Sequence, residues 1–359
     1  MLLKILNCLD RSKFQPTVIS LTDRGDIGPR IEALGIPVLA LGMHPGMPNP
    51  LLLFRLMGHL RRSQPDVVHT WMYHADLLGG LAARLTGCRH VLWGIRHSNL
   101  SPQENKPTTL LVAKLCAWLS SWVPERILSC SHKAKRVHGE FGYQVDKIQV
   151  IPNGFDLHRF APDAQARSGL RGELGVGPAT PLVGMVARYD PQKNHLGFVA
   201  AAACLRSLCP EVHFVLAGAG VDENNQALMA GIASHSGLVP TFHLLGRRED
   251  IPRLMAALDV LVSPSSGEAF PNVLGEAMAT GVPCVVTDVG DSAEIVGATG
   301  RVVPVGDMEG LAREVFGLLS LPSDARYRLG GEARQRVQAN YEIGLVTRLY
   351  EASYEALLV

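Results

Sequence analysis

Residues 261–276 read LVSPSSGEAFPNVLGE, and this stretch decides the class of fold. It begins in a short apolar run, continues through small residues, and turns into a helical pattern from about Asn272 onward. Pro271 suits the first turn of a helix, because it lacks the amide hydrogen that this position leaves unpaired. A strand, a short loop and a helix in this order are the beginning of a parallel βαβ unit. The stretch therefore predicts an α/β protein in which a small-residue loop meets a helix N-terminus.

The same alternation of short apolar runs and longer helical patterns extends through the rest of the chain. Parallel sheets with crossover helices produce this rhythm, so the α/β prediction applies to the whole molecule. The predicted strands are 17–21, 38–41, 66–69, 90–95, 126–128, 148–151, 182–187, 213–217, 242–244, 260–263, 283–287 and 301–303.

The rhythm breaks once, at residues 151–156 (IPNGFD), and a polar stretch with Gly and Pro follows as far as Thr180. Such a stretch is typical of an interdomain connection, and 359 residues are enough for two domains. We predict one helix at the end of the chain, from about 341 to 358, after Gly330-Gly331. The predicted ranges are 1–156 for an N-terminal domain, 157–340 for a C-terminal domain and 341–359 for the final helical segment.

Composition excludes several functional classes. The chain has 34 Lys and Arg against 33 Asp and Glu, so it has no general attraction for nucleic acid and any anion site must be local. The longest apolar stretches, such as 110–123, are shorter than the ~20 residues that span a bilayer. Seven cysteines without a C-x-x-C pair disfavour both a disulfide framework and structural zinc. This cysteine usage predicts a reducing, cytoplasmic location, and the first residues, MLLKIL, resemble the inside of a helix rather than a signal peptide.

The predicted helix N-terminus within 261–276 is a candidate anion site. Unpaired amide groups and the helix dipole favour a negative group there, and a diphosphate is a natural occupant. Glu276 lies four residues after Asn272, on the same helix face, and can accept hydrogen bonds from ribose hydroxyls. Glu268 lies in the loop, nearer to a donor sugar. Two glutamates eight residues apart also occur by chance, so they gain meaning only from their surroundings.

A second loop, residues 187–194 (ARYDPQKN), supplies two cations, Arg188 and Lys193. Loops at the carboxyl ends of parallel strands line the ligand crevice, so these cations are predicted to meet the helix N-terminus and to neutralise a leaving diphosphate. Ordinary surface residues in a solvated loop are the alternative. No D-x-D pair is present, which favours a site without metal. The G-x-G at Gly218 is more typical of close backbone approach than of NAD binding.

Together with the Leu245-Gly246-Arg247 turn, these residues resemble glycosyltransferase family four over nearly the whole chain. The resemblance implies a GT-B fold, with two Rossmann-like domains whose parallel sheets face a central cleft and a final helix that crosses back to the N-terminal domain. It also implies retaining transfer of a hexose from a nucleotide-diphosphate sugar, most often a UDP-sugar, without a separate cofactor or a metal. By residue, it implies diphosphate contacts from Arg188 and Lys193, ribose contacts from Glu276, sugar-hydroxyl contacts from Glu268, and further donor contacts from Gly218, Arg247, Phe270, Pro271, Asn272 and Val273.

In the first half, His97 is the best candidate, because it follows a predicted strand in the stretch WGIRHS (93–98). The resemblance places a sugar-contacting histidine near this position. His69 and His74 can serve the same cleft or be structural, and their spacing matches no metal motif. The basic residues 132–136 (HKAKR) are more typical of a solvated helix face than of a contact with an anionic membrane surface.

The beginning of the sequence departs from the family pattern. Family members usually start with an apolar strand and a loop of G-G-x-E type, whereas this sequence starts inside what resembles the following helix. The resemblance thus implies that a strand, a loop and part of a helix are absent. Such a loss would leave unpaired sheet edges and a thinner core, and it puts the activity in doubt.

Three functions are compatible with these residues. The first is a glycosyltransferase that acts on a glycan or lipid-linked acceptor, as in cell-surface or exopolysaccharide synthesis, with peripheral contact at the cytoplasmic membrane face. The second is a sugar-nucleotide epimerase or hydrolase of the same fold, which would need further acid–base carboxylates. The third is a truncated, non-catalytic nucleotide-sugar-binding protein.

Overall fold

The structure, a computed structural model, describes residues 1–44 and 51–358. The chain divides into two compact units. Unit 1 comprises Met1–Gly154 together with Ile343–Val359, and unit 2 comprises Phe155–Glu342. The division after Gly154 lies two residues before the end of the predicted N-terminal range. Phe155 and Glu342, the two ends of unit 2, pair with each other in a parallel bridge.

Up to residue 154 the chain alternates helices with short parallel strands. In chain order the elements are α1 Leu2–Cys8, β1 Val18–Ser20, α2 Gly28–Glu32, β2 Val38–Ala40, α3 Leu51–Ser63, β3 Val68–His69, α4 Tyr73–Leu85, β4 Val91–Ile95, α5 Pro107–Leu119, β5 Arg126–Ser129, α6 His132–Phe141 and β6 Ile148–Val150. The helical interpretation of the first residues is confirmed by α1.

The strands of unit 1 form two separate parallel sheets in the described part of the chain. One contains β1 and β2, and the other has the order β3-β4-β5-β6. All five residues of β4 are buried, because helices cover both faces of this strand's sheet, as parallel sheets require. The side chain of Trp93 on β4 is fully buried in the apolar core. His97 follows two residues after the end of β4.

Unit 2 repeats the alternation with longer helices. Its elements are α7 Ala164–Glu173, β7 Leu182–Val186, α8 His195–Leu208, β8 His213–Ala217, α9 Gln226–Ala233, β9 Phe242–Leu244, α10 Ile251–Ala257, β10 Val260–Ser263, α11 Asn272–Ala279, β11 Cys284–Thr287, α12 Ser292–Val296, β12 Arg301–Val303, α13 Met308–Leu319 and α14 Ser323–Tyr341. One last helix, α15 (Ile343–Glu355), belongs to unit 1.

The sheet of unit 2 is parallel throughout and has the strand order β12-β11-β10-β7-β8-β9. The chain builds β7, β8 and β9 outward in one direction and then returns to add β10, β11 and β12 on the other side of β7. The order therefore reverses between β7 and β10, and a ligand crevice forms at the carboxyl ends of the strands at such a switch point.

All twelve predicted strands are present, each with its ends within two residues of the prediction, and the α/β class is confirmed. The prediction succeeded because almost every strand is a short run of β-branched or other apolar residues bounded by loop residues. The helix beginning at 272 is also confirmed, although Pro271 immediately precedes α11 rather than lying in its first turn.

The predicted final helix, from about 341 to 358, corresponds to α15 at Ile343–Glu355, but the helix before it, α14, was not predicted. The chain forms α14 up to Tyr341, becomes extended at Glu342 and starts again as α15, while Val359 lies outside the described residues. Gly330 lies inside α14 instead of preceding a helix, because α14 crosses the Gly281 turn closely there. A Cβ atom at Gly330 would lie 2.0 Å from the carbonyl oxygen of Gly281.

The polar stretch after residue 156 is not only a connection, because it contains α7. Asp163 caps this helix by accepting a hydrogen bond from the Ala166 amide at 2.8 Å. The buried side of α7 includes Arg171, which is paired with Asp259. A helix that buries a charged residue lacks the apolar periodicity on which the sequence prediction depended.

Candidate functional site

The loops after β7 and β10 lie side by side at the point where the strand order of unit 2 reverses. The Ser266 amide donates to the carbonyl oxygen of Gln192 at 2.8 Å. The Asn194 side-chain amide donates to the carbonyl oxygen of Pro264 at 3.2 Å. These hydrogen bonds join the loop that carries Lys193 to the loop that carries Glu268.

The loop after β7 is held in shape by two capping side chains. Asp190 accepts a hydrogen bond from the Gln192 amide at 3.0 Å and starts the 3-10 turn Pro191–Lys193. Asn194 has a positive φ of 56° and caps α8 by accepting from the Gly197 amide at 3.1 Å. Asn is one of the few residues that adopt this conformation at low cost. The side chain of Lys193 is thus presented by a short, well-defined turn.

The loop after β10 is held by hydroxyl groups. The Thr287 hydroxyl donates to the carbonyl oxygen of Ser265 at 2.5 Å, and the Ser265 hydroxyl donates to a carboxylate oxygen of Glu268 at 2.9 Å. Both Thr287 and Ser265 are buried, so these hydrogen bonds are shielded from water. The carboxylate of Glu268 is therefore held in one orientation.

Lys193 and Glu268 form an ion pair between the two loops. Their side chains are only 21% and 10% exposed, so the pair is largely shielded from solvent screening. The arrangement places a positive group beside a hydrogen-bond acceptor. One ligand with an anionic part and adjacent hydroxyl groups can use both.

A cavity of about 220 Å³ opens at this pair. Its wall is formed by the ends of β7 and β10, by the Glu268 loop and by the N-terminus of α11, with the lining residues Met185, Val186, Ala187, Lys193, Val262, Ser263, Ser265, Glu268, Phe270, Pro271, Asn272 and Val273. Typical small-molecule pockets measure roughly 300–1,000 Å³, so this cavity would hold part of a nucleotide sugar rather than all of it.

The structure brings together six of the predicted site residues at the cavity wall, namely Lys193, Glu268, Phe270, Pro271, Asn272 and Val273. The other predicted donor residues do not line it. The Arg188 guanidinium is exposed and pairs with Asp190 of its own loop at 3.0 Å. Arg247 is exposed after β9, and Glu276 is half-buried one turn further along α11.

Gly218 has the packing role that its sequence pattern indicated. A Cβ atom at this position would lie 1.9 Å from the carbonyl oxygen of Ala187, at the end of β7. The Tyr189 amide donates to the carbonyl oxygen of Ala219 at 2.8 Å, which joins the same two loops. Gly218 thus permits close backbone approach directly behind the cavity.

Three residues that line the cavity or pack against the Glu268 loop were not predicted as site residues. Ser263 and Ser265 lie inside the quoted stretch, and their place at the carboxyl end of a strand was the available signal. Gly290 was missed entirely. A Cβ atom there would lie 2.6 Å from the carbonyl oxygen of Glu268, and no spacing rule connects two positions 22 residues apart.

The three candidate histidines of unit 1 differ in burial and in the residues that surround them. His97 is half-buried, and burial lowers the pKa of its imidazole. His69 lies among aromatic rings and contacts the Tyr354 hydroxyl at 3.0 Å, and burial lowers its pKa to about 3. This packing supports the structural alternative for His69. His74 is exposed on α4, and the basic residues 132–136 begin α6.

Within residues 1–44 and 51–358, no three His, Cys, Asp or Glu side chains are grouped closely enough to hold a metal ion. No described helix has the length and apolar character needed to cross a membrane. The absence of a metal requirement stays a prediction from the sequence.

Comparison with known families covers most of the chain. Residues 1–159 match the family described as Glycosyltransferase Family 4, and residues 180–320 match the one described as Glycosyl transferases group 1. The first match covers the part before the loop carrying Lys193, and the second includes the whole cavity.

Individual proteins show the same relationship. The chain is 32% identical over 265 residues to the UDP-Gal:alpha-D-GlcNAc-diphosphoundecaprenol alpha-1,3-galactosyltransferase of Escherichia coli, which covers 72% of this chain and 67% of that protein. It is 28% identical over 348 residues to a D-inositol 3-phosphate glycosyltransferase of Xylanimonas cellulosilytica, with 90% and 80% covered.

A solved structure extends the likeness to the fold. The Anabaena protein HepE, solved in complex with UDP, matches with a TM-score of 0.85 at 23% identity and covers 99% of this chain and 95% of its own. That likeness establishes the GT-B architecture, with parallel sheets in two Rossmann-like halves. The chain is therefore a member of glycosyltransferase family 4, the group 1 glycosyltransferases, which transfer sugars from sugar nucleotides.

Proposed function

We propose that this glycosyltransferase moves a hexose from a UDP-sugar to a lipid-linked glycan acceptor, with retention of configuration, in the synthesis of a cell-surface or exported polysaccharide. The observation that carries the proposal is the Lys193–Glu268 pair at the N-terminus of α11. UDP and a lipid-linked acceptor are supported by the names of the E. coli relative and of the HepE complex. Because a lipid-linked acceptor is held in the membrane, the enzyme would act at the cytoplasmic membrane face.

The donor would bind along the cavity wall. Its diphosphate would contact the Lys193 ammonium and the backbone amides at the start of α11, where the helix dipole also favours negative charge. Glu268 accepts hydrogen bonds from hydroxyls of the sugar, and Glu276 from the ribose. Arg188 reaches the diphosphate only if its side chain leaves Asp190, and its exposed position allows that movement.

Transfer would proceed on one face of the sugar. The bond between the anomeric carbon and the diphosphate oxygen breaks, the acceptor hydroxyl oxygen forms the new bond on the same face, and a diphosphate oxygen takes the hydroxyl proton. Lys193 and the α11 amides stabilise the negative charge that develops on the leaving diphosphate, without a metal. Because Lys193 and Ser265 already hold the Glu268 carboxylate, this group orients the sugar rather than attacking it.

Replacing Lys193 by Ala tests the donor site. The substitution removes a charged hydrogen-bond donor and leaves the Glu268 carboxylate facing the diphosphate, so affinity for the UDP-sugar should fall about tenfold to a hundredfold. Calorimetric titration of UDP-glucose and UDP-galactose measures this loss. The control is Arg313→Ala, which removes an exposed cation of α13 in the same unit. Unchanged affinity in K193A would contradict the assignment.

The identity of the product distinguishes the three functions compatible with the residues. A glycosylated acceptor indicates transfer, a new free sugar nucleotide indicates epimerisation, and a free sugar indicates hydrolysis. Donor binding with none of these products indicates a binding protein. The anomeric proton coupling of the glycosylated product tests retention, since a retaining enzyme makes an α-linkage from an α-linked donor. A His97→Ala variant that kept full transfer would contradict the predicted sugar contact of His97.

A further inference from the structure

Helix α5 and the turn after it expose four large apolar side chains. They recur at intervals of four, three and four residues, which places them along one face of a helix. We call this set the apolar stripe, and its members, with their exposed fractions, are Leu111 (62%), Leu115 (41%), Trp118 (77%) and Trp122 (58%).

The opposite face of α5 packs into the core of unit 1. Ala113, Cys116 and Ala117 are buried in the apolar cluster that also includes Trp93. The stripe is therefore not needed to hold α5 on the unit. Single exposed apolar residues are common on protein surfaces, but a row containing two tryptophans marks an interaction surface.

Cations flank the tryptophan end of the stripe. The Arg84 guanidinium donates to the carbonyl oxygens of Trp122 and Val123 at 3.1 and 2.8 Å. The Lys147 ammonium donates to those of Ser121 and Pro124 at 2.6 and 2.8 Å. Both positive groups are thus fixed beside the turn that carries Trp122.

The charges of the chain are divided unevenly between its units. Unit 1 has 19 Lys and Arg against 12 Asp and Glu, a net charge of +7. Unit 2 has 15 against 21, a net charge of −6. The overall value of +1 conceals this difference. The apolar stripe lies on the positive unit, so a partner of negative charge is favoured.

The size of the stripe argues against a stable protein interface. A tryptophan side chain can contribute about 150–250 Å², and the four partly exposed residues together expose less than the roughly 800 Å² per partner of a typical stable complex. A lipid surface sets no such minimum. Tryptophan favours the boundary between lipid headgroups and acyl chains, and Lys and Arg favour anionic headgroups.

We propose that the apolar stripe inserts into the headgroup region of an anionic phospholipid bilayer, with Arg84 and Lys147 on the lipid phosphates. The insertion would hold unit 1 on the membrane that contains the acceptor. The inference rests on the proposed function for the nature of that acceptor, and on the stripe and its cations for the surface. The basic residues of α6, which the sequence indicated as a solvated face, are not required for it.

The test uses the full chain and vesicles of phosphatidylcholine, alone or mixed with phosphatidylglycerol. Sedimentation should show binding to the mixed vesicles that weakens as salt is raised. Replacing both Trp118 and Trp122 by Ser should weaken this binding on the order of a hundredfold, about tenfold for each side chain removed from the lipid. The control is Tyr327→Ser, which removes an exposed aromatic side chain of unit 2 and should leave binding unchanged.

Fluorescence provides a second measurement that does not depend on the variants. Trp93 is buried, whereas Trp118 and Trp122 are exposed, so brominated lipid should quench part of the emission of the wild-type chain. Equal vesicle binding by the wild type and the double variant would overturn the proposal. Self-association in solution that the double variant abolishes would overturn it too, because the stripe would then bind a second copy.

Failure of this inference can be distinguished from failure of the proposed function. UDP-sugar binding and transfer to a detergent-dispersed acceptor depend on the cavity of unit 2 and should be equal in the wild type and the double variant. A chain that transfers sugar but ignores anionic vesicles would refute the membrane surface and keep the function. A chain that binds vesicles through the stripe but transfers no sugar would refute the proposed function and keep the membrane surface.

Discussion

The carboxylate of Glu268 is positioned by neighbours from three separate turns of unit 2. Lys193 comes from the turn after β7, Ser265 from the start of its own loop, and Gly290 packs against its backbone from the turn after β11. The Asp291 amide adds a hydrogen bond of 3.1 Å to the carbonyl oxygen of Ala269. A residue held in this way is preorganised for a ligand, because little rearrangement is needed when the ligand binds.

Gly290→Ala should impair transfer by displacing the Glu268 loop. The new Cβ atom would lie 2.6 Å from the carbonyl oxygen of Glu268 and 2.7 Å from that of Ala269, so this backbone must shift. A displacement of about 1 Å in a catalytic loop can cost on the order of a hundredfold in rate. Steady-state kinetics with a UDP-sugar and the identified acceptor measure the loss.

Gly306→Ala is the matched control for that substitution. Gly306 also has a positive φ, 87°, but a Cβ atom there would have no neighbour within 4 Å. Both variants should lose about 1 kcal/mol or slightly more of unfolding free energy from the positive φ, and G290A should lose more than G306A because its Cβ atom also displaces backbone. Only G290A should lose activity as well. Equal rates in the two variants would show that the Gly290 contact does not position Glu268.

At the scale of the elements, α7 depends on a buried ion pair. Asp259, between α10 and β10, accepts hydrogen bonds from Arg171 at 2.5 Å, from Arg167 at 2.7 Å and from the Leu182 amide at 2.8 Å. Arg171 and Asp259 are both buried. One carboxylate thus connects α7, the start of β7 and the turn before β10.

Asp259→Asn should therefore destabilise unit 2 strongly. The substitution keeps the size of the side chain but leaves the buried Arg171 guanidinium without its counter-ion, which costs about 3–5 kcal/mol of unfolding free energy. Urea denaturation followed by circular dichroism measures the change. The control is Glu173→Gln, which breaks the exposed pair of α7 with Arg253 and should alter the midpoint little, because solvent screens that pair. Similar midpoints for the two variants would contradict the assigned role of burial.

The same elements show what the sequence could predict about the fold. Each strand was predictable because a short apolar run indicates a strand by itself, without knowledge of the residues that pair with it. Helix α7 was missed because its buried face contains Arg171, whose partner is 88 positions away. Helix α14 was also missed, because its interior contains Gly330 and Gly331, and glycine is unfavourable inside a helix.

The site was predictable where its parts are contiguous. Residues 268–273 follow one strand and begin one helix, so a single stretch of sequence contains both the sugar-side carboxylate and the helix N-terminus. Lys193 was predictable because loops at the carboxyl ends of strands converge. The pairing of Arg188 with Asp190 and the support from Gly290 could not be predicted, since they depend on side-chain conformation and on which loops the sheet order brings together.

At the scale of the whole molecule, both units bury histidines whose environment favours the neutral ring. Burial lowers the pKa of His69 to about 3 and of His138 to about 4 in unit 1, and it also lowers the pKa of His195 in unit 2. The His138 ring contacts the Ala134 carbonyl oxygen at 2.8 Å and the Tyr73 hydroxyl at 2.9 Å. A carbonyl oxygen can only accept, so Nδ1 carries the proton and Nε2 accepts from Tyr73.

These pKa values predict that the molecule loses stability in mild acid. Above pH ~6.5 His138 is neutral in both the folded and the unfolded chain, and it makes its full contribution to the free energy of unfolding. As the pH falls from 6.5 toward 4, the unfolded chain takes up a proton that the folded chain does not. Between pH 7 and pH 5 this histidine alone should remove about 2 kcal/mol of unfolding free energy.

His138→Gln isolates that contribution. The variant should be less stable than the wild type at pH 7, but its unfolding free energy, measured by urea denaturation, should decline less between pH 7 and pH 5. His158→Gln replaces an exposed histidine and should keep the wild-type slope. Parallel slopes for the wild type and H138Q would mean that the ring takes up its proton in the folded chain near the ordinary pKa. Burial beside Tyr73 would then not hold it neutral, and the acid sensitivity of the molecule would have to come from other groups.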